Sequence, residues 1–203
     1  MSDRTHEEEV SPGAEPDAPL AAGPEPPVQA GHTSLRTGHA SLRTGHAARA
    51  KSAALRTAAI HHYVEQHGAE QNTSWKTAHA ARVSAQALAV LSESAPDPAA
   101  DSRCARNAAA AAAQAAQMAR LHDGDSEPAA TACRAALKAS QAAATAAGRD
   151  ALGADETLNV AADEAEADAV AAAEHAGWMQ QGRRLPETPT GLRSPELMSM
   201  MHF

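Results

Sequence analysis

Cysteine, methionine and histidine are the residues of this sequence with the most chemistry to offer. Cys104, Met118 and His122 lie on or beside one face of an expected helix, and Cys133 opens the next helix across a short turn from His122. Met198, Met200, Met201 and His202 sit within five residues of one another. Thiolate, thioether and imidazole together favour Cu(I), and thiolate with imidazole also suits zinc. The competing reading makes the two cysteines small buried hydrophobes and Met118 a gap-filler, and it is the one we favour. No cofactor is expected unless copper or zinc occupies this set.

The common catalytic arrangements are missing. A diiron bundle needs Glu-x-x-His on facing helices, and the chain contains no such spacing. It also lacks His-Glu-x-x-His, a phosphate-cradling glycine loop and a Gly-x-Ser-x-Gly elbow. The expectation is a non-enzymatic protein.

Two further stretches could recognise a partner. Arg36, Arg43, Arg49, Lys51 and Arg56 face a single acid, Glu65, between residues 31 and 67. Such a basic surface would bind nucleic acid weakly and in a salt-sensitive way, although a solvated charge run is the simpler reading. The acidic tail at 1–30 and the helix carrying Asp163, Glu164, Glu166 and Asp168 would oppose nucleic acid and could pair with these cations within the chain. Otherwise those helix acids form an ordinary solvated face. The proline-spaced segment ending in SPELMSMMHF has the form of a docking peptide, with Leu197, Met198, Met201 and Phe203 as anchors for a partner's groove.

The elements that must position these groups follow from composition. Hydrophobic residues are 43% of the 203, but most are alanine, and aromatics are only 2%. Alanine is the best helix former and loses almost no side-chain entropy on ordering. Each buried methyl returns only about 0.8 kcal/mol. Long, closely approaching helices with a thin core are therefore expected. So few aromatics argue against a stacking platform for single-stranded nucleic acid. No apolar run would span a bilayer, the acidic MSDRTHEEEV lacks a signal-peptide core, and two cysteines suit a reducing compartment. The expected location is the cytoplasm.

Capping signals divide the chain. Helices are predicted from Asn72–Ser74 to before Pro96, from Asp97–Pro98 to Gly124, from Asp125 or Ser126 to Gly148, and from near Asp155 to Gly177 or Gly182. Their expected core stripes begin at Trp75, His79 and Val83, at Cys104 and Ala108, at Cys133 and Leu137, and at Leu158 and Ala162. Short connectors make these four an antiparallel up-and-down bundle.

Before them lies a repeat, GHTSLRT-GHASLRT-GHA, from Gly31. In heptad register His32, His39, His46, Ala53, Ile60 and His67 share one column, and Leu35, Leu42, Arg49, Arg56 and Tyr63 the other. Histidine and arginine are poor seam residues, and each glycine costs a helix about 1 kcal/mol against alanine. A pH-sensitive or metal-binding histidine seam is one reading; a duplicated flexible linker is the favoured one.

The predicted organisation is thus all-α. It comprises an acidic disordered tail at 1–30, a flexible basic repeat at 31–46, a helical domain at 47–182 with a looser basic first helix, and a disordered linker and docking peptide at 183–203. The predicted function is a helical scaffold or adaptor that self-associates, since oligomerisation buries surface that a thin core cannot, and that docks a protein partner through its tails. A Cu(I)- or zinc-binding bundle is the alternative, and a weak nucleic-acid binder through residues 36–56 the third reading.

Overall fold

The computed structural model describes residues 29–180, with side chains from Gly38 onward. The tail at 1–28 and the segment at 181–203 lie outside the described residues. Five helices follow one another: α1 (Gln29–Gln66), α2 (Gln71–Glu93), α3 (Pro98–Asp123), α4 (Glu127–Ala146) and α5 (Glu156–His175). No strand occurs among the described residues, and none of their helices is long and apolar enough to cross a membrane.

The caps act as their residue types dictate. The side chains of Asp97, Ser126 and Asp155 accept hydrogen bonds from the backbone N–H of Ala99, Ala129 and Leu158, which have no partner within their helices. Pro98 and Pro128 occupy first-turn positions where a missing N–H costs nothing. The second helix differs from expectation. It starts at Gln71 after Glu70, with no side-chain cap, rather than at Asn72–Ser74.

Sequential helices pack as neighbours, so the chain runs up and down. The start of α1 meets the end of α2 and the start of α3 through Arg43, while the end of α1 meets the end of α3 through Tyr63 and Asp123. Helices α1, α3 and α5 are therefore parallel, and α2 and α4 run against them. Helix α3 lies in the middle, touching α1, α2 and α4; α1 touches α2, α3 and α5.

The core is largely alanine. At one end Ala50, Ala53, Ala87, Val90, Leu91 and Cys104 pack together. At the other, Ile60, Val64, Cys133 and Trp178 are set among alanines of α3 and α4. Alanine faces let helices approach closely, but each methyl contributes little. The bundle supplements them with buried polar ties, described below.

Two expectations about faces need correction. Trp75 is 60% exposed, stacked on the exposed His79 with ring centroids 5.7 Å apart. The buried side of α2 runs instead through Thr77, Ala80, Ala81, Ser84, Ala87 and Val90. On α4, Leu137 is exposed, and Ala132, Ala136, Ala139 and Ala143 face inward. The stripes of α3 and α5 largely match: Cys104, Ala108, Ala111 and Ala115, and Ala162, Ala165 and Ala169, are all buried.

The largest difference is α1. It runs as one helix of 38 residues through the repeat, where the sequence predicts a flexible segment over 31–46. Its heptad face is continuous from the repeat into residues 47–66, which are anchored on α2, α3 and α5. An anchored helix extends without a new nucleation cost, and this offsets the penalty of the glycines.

Candidate functional site: the α1–α5 seam and its open end

Between His46 and Ile60 both heptad columns of α1 point into the bundle, whereas His39 and His67 on the first column are exposed. His46, Ala53 and Ile60 are at most 1% exposed, and Arg49 and Arg56 are buried beside them. Two arginines can be buried because α5 supplies matching carboxylates one turn apart. Arg56 forks onto Glu166, with Nη2 to Oε2 at 2.7 Å and Nε to Oε1 at 3.2 Å, and Ser52 Oγ donates to the same carboxylate at 3.0 Å. Arg49 Nε donates to Asp163 Oδ1 at 2.7 Å, and its Nη2 reaches the backbone and side-chain oxygens of Asn159. Such bidentate, charge-assisted bonds are the strong class.

The seam ends at the α4–α5 connector. His46 Nε2 donates to the Gly153 carbonyl at 3.0 Å, an oxygen that also accepts from Asn159 Nδ2 at 3.0 Å. A carbonyl only accepts, so Nε2 carries the proton and His46 Nδ1, which has no hydrogen-bond partner, is a bare acceptor. Burial, and then the nearby Arg49 charge, push the His46 pKa below its ordinary value; the Gly153 carbonyl and Asp163 oppose this. Gly153 has φ +72°, and a Cβ there would lie 2.3 Å from the Pro98 carbonyl oxygen and 2.5 Å from Ser102 Oγ. Only glycine lets this loop close against the start of α3. Its neighbour Leu152 holds φ +47° and is 53% exposed.

Beyond His46 the seam opens into a groove of about 420 Å³ between the first turns of α5 and the repeat segment of α1. Gly38, Leu42 and Gly45 line one wall, Asn159 and Val160 the other, with Arg49 and Asp163 at its inner end and Glu156 on its rim. No atom comes within 4 Å of where a Cβ would stand on Gly38 or Gly45.

The residues singled out by sequence sort differently from expectation. The basic surface is not one: Arg49 and Arg56 are buried and paired with α5. Arg43 is bonded to the carbonyls of Leu91 and Ser94 at the end of α2, with Asp101 3.6 Å away. A cation there complements the negative end of the helix. Lys51 is exposed, and the Arg36 side chain lies outside the described residues. Of the two readings of the α5 acids, Asp163 and Glu166 follow the one that pairs them with cations of the same chain, Asp163 from an exposed position and Glu166 from a buried one; Glu164 and Asp168 are exposed.

The proposed metal ligands are not brought together. Cys104 and His122 are eighteen positions apart on α3, roughly 27 Å along its axis. Cys104 and Cys133 belong to separate core clusters. No group of three or more potential His, Cys, Asp or Glu ligands occurs among the described residues. Burial pushes the Cys104 thiol up to about 11, with Asp101 adding to the shift, and burial raises Cys133 too. Both shifts disfavour the thiolate that a metal needs. Met198, Met200, Met201 and His202, and the docking anchors Leu197 and Phe203, lie outside the described residues.

Sequence reading missed a second polar tie. Asp123 accepts from Trp178 Nε1 at 2.7 Å and from Tyr63 Oη at 2.9 Å, joining the ends of α1, α3 and α5. Burial, reinforced by Asp123, pushes the Tyr63 hydroxyl up to about 12. A buried indole needing an acceptor was the available signal. Compared with known proteins, the chain matches no family model, no curated protein sequence and no solved structure.

Proposed function

We propose that the chain is a non-enzymatic helical scaffold that self-associates through the bundle and docks a protein partner through its terminal segments. One observation carries this reading. Arg49, Arg56, Asp163 and Glu166 are tied together as structural links of the bundle, while Leu42 and Val160 leave apolar surface open in the groove. Exposed apolar groups rimmed by polar ones are how binding surfaces are built. A cytoplasmic setting goes with it, since Cys104 and Cys133 are free thiols.

Native mass spectrometry of the full chain, purified without a metal-binding tag, tests the reading. It predicts a metal-free dimer or higher species. A monomer carrying copper or zinc would replace it with the metal-binding alternative.

A further inference from the structure

We infer that the groove between the start of α5 and the repeat segment of α1 is a self-association surface, and that its occupant is the repeat segment of α1 from a second copy of this chain. The inference rests on the scaffold reading and adds where the contact is made and by what.

Helix α1 outgrows the bundle. Its 38 residues span about 57 Å, against about 30 Å for the 20 residues of α5. Gly38, His39, Ala40 and Ser41 are all exposed. A full helical turn exposed on every side has left its own bundle. Yet the heptad register that buries His46, Arg49, Ala53, Arg56 and Ile60 continues unbroken through this turn. A seam that is satisfied inside the chain thus runs on beside an open groove, with α5 across it rather than packed against it.

Three features say that a second α1 fits there. First, Gly38 and Gly45 stand seven residues apart, each facing open space, so another helix can approach the backbone closely. Second, the apolar rim is on the same notch: Val160 is 50% exposed, and Leu42 half-buried opposite it. Third, the charges match. Residues 31–42 carry Arg36 and no acid, whereas the groove presents Glu156 and a half-exposed Asp163. The acidic tail at 1–28 would be repelled by that rim. Because the occupant and one wall of the groove belong to the same helix, two copies related by a two-fold axis satisfy each other in one closed contact. A contact of one helical overhang is small, so the dimer should be of micromolar affinity.

The test is sedimentation velocity of the full chain from low micromolar to several hundred micromolar, beside Gly45→Leu and Val160→Lys. Leucine at 45 fills the groove. A Cβ there meets no atom, and losing a helical glycine favours the helix, so the fold should hold. Lysine at 160 lies one turn from Glu156 and Glu164, which supports α5, and it repels the basic repeat. Thermal melts check that both variants stay folded. The expected result is a wild-type dimer weakened at least tenfold by either substitution. A wild-type dimer unchanged by both would overturn this surface and leave self-association standing. A wild type monomeric at every concentration would overturn both.

Discussion

Replacing Glu166 by leucine should be among the most damaging single changes to the bundle. Glu166 is 3% exposed and Arg56 fully buried, and the carboxylate takes two bonds from the guanidinium and one from Ser52. Arg56 Nη1 already has no hydrogen-bond partner. Removing the carboxylate leaves a buried cation without compensation, which costs about 3–5 kcal/mol. For a domain of this size that is roughly a 10 °C fall in Tm. The pair as a whole is a different matter, because desolvating two charges offsets most of their attraction. Arg56→Met with Glu166→Leu should therefore restore wild-type stability or exceed it. Urea unfolding followed by far-UV circular dichroism, with unchanged m-values, gives all four corners of the cycle. A Glu166→Leu cost under about 1 kcal/mol would show that the pair is exposed. A double variant no more stable than the single would refute the reasoning about desolvation.

Gly153→Ala should destabilise the fold by more than the roughly 1–3 kcal/mol of a strained backbone alone, because the Cβ overlaps the Pro98 carbonyl and Ser102; a melt shifted by less than a few degrees would contradict the tight α3 contact. His46 has a folded-state pKa below its ordinary 6.5, so the unfolded chain binds the proton more readily. The stability His46 contributes is then complete above about pH 6.5 and falls as pH drops from there towards the folded value. His46→Gln, which can still donate to the Gly153 carbonyl, should flatten that slope. Cys104, 1% exposed with its thiol pushed up to about 11, should resist alkylation at mildly alkaline pH until urea unfolds the chain; rapid labelling of the native protein would place it outside the core.

Much of the architecture was legible because its signals are local. Asp97, Ser126 and Asp155 mark helix starts by hydrogen bonds within three residues of themselves. The heptad columns of α1 were readable too, although histidine and arginine made them look unfit for a seam. That the acids of α5 could pair with the cations of α1 was readable; which of them do so, Asp163 with Arg49 and Glu166 with Arg56 across 114 and 110 positions of chain, was not. Nothing in a helix acid's own surroundings distinguishes a paired acid from a solvated one. The rotated faces of α2 and α4 have another cause. Where alanine occupies several sides of a helix, periodicity no longer singles out one of them. The glycines of the repeat misled for the opposite reason: their local cost is real, but a long anchored helix carries it.

The most direct test of the account is amide hydrogen exchange of the full chain at low and at high concentration. Backbone amides from His46 to Ile60 should be protected at both, because the seam to α5 lies within one chain. Those of Gly38–Ser41, with few tertiary contacts of their own, should exchange quickly in dilute solution and slow as the second copy docks. Fast exchange of Gly38–Ser41 at every concentration would contradict the claim that this turn is where the protein meets itself.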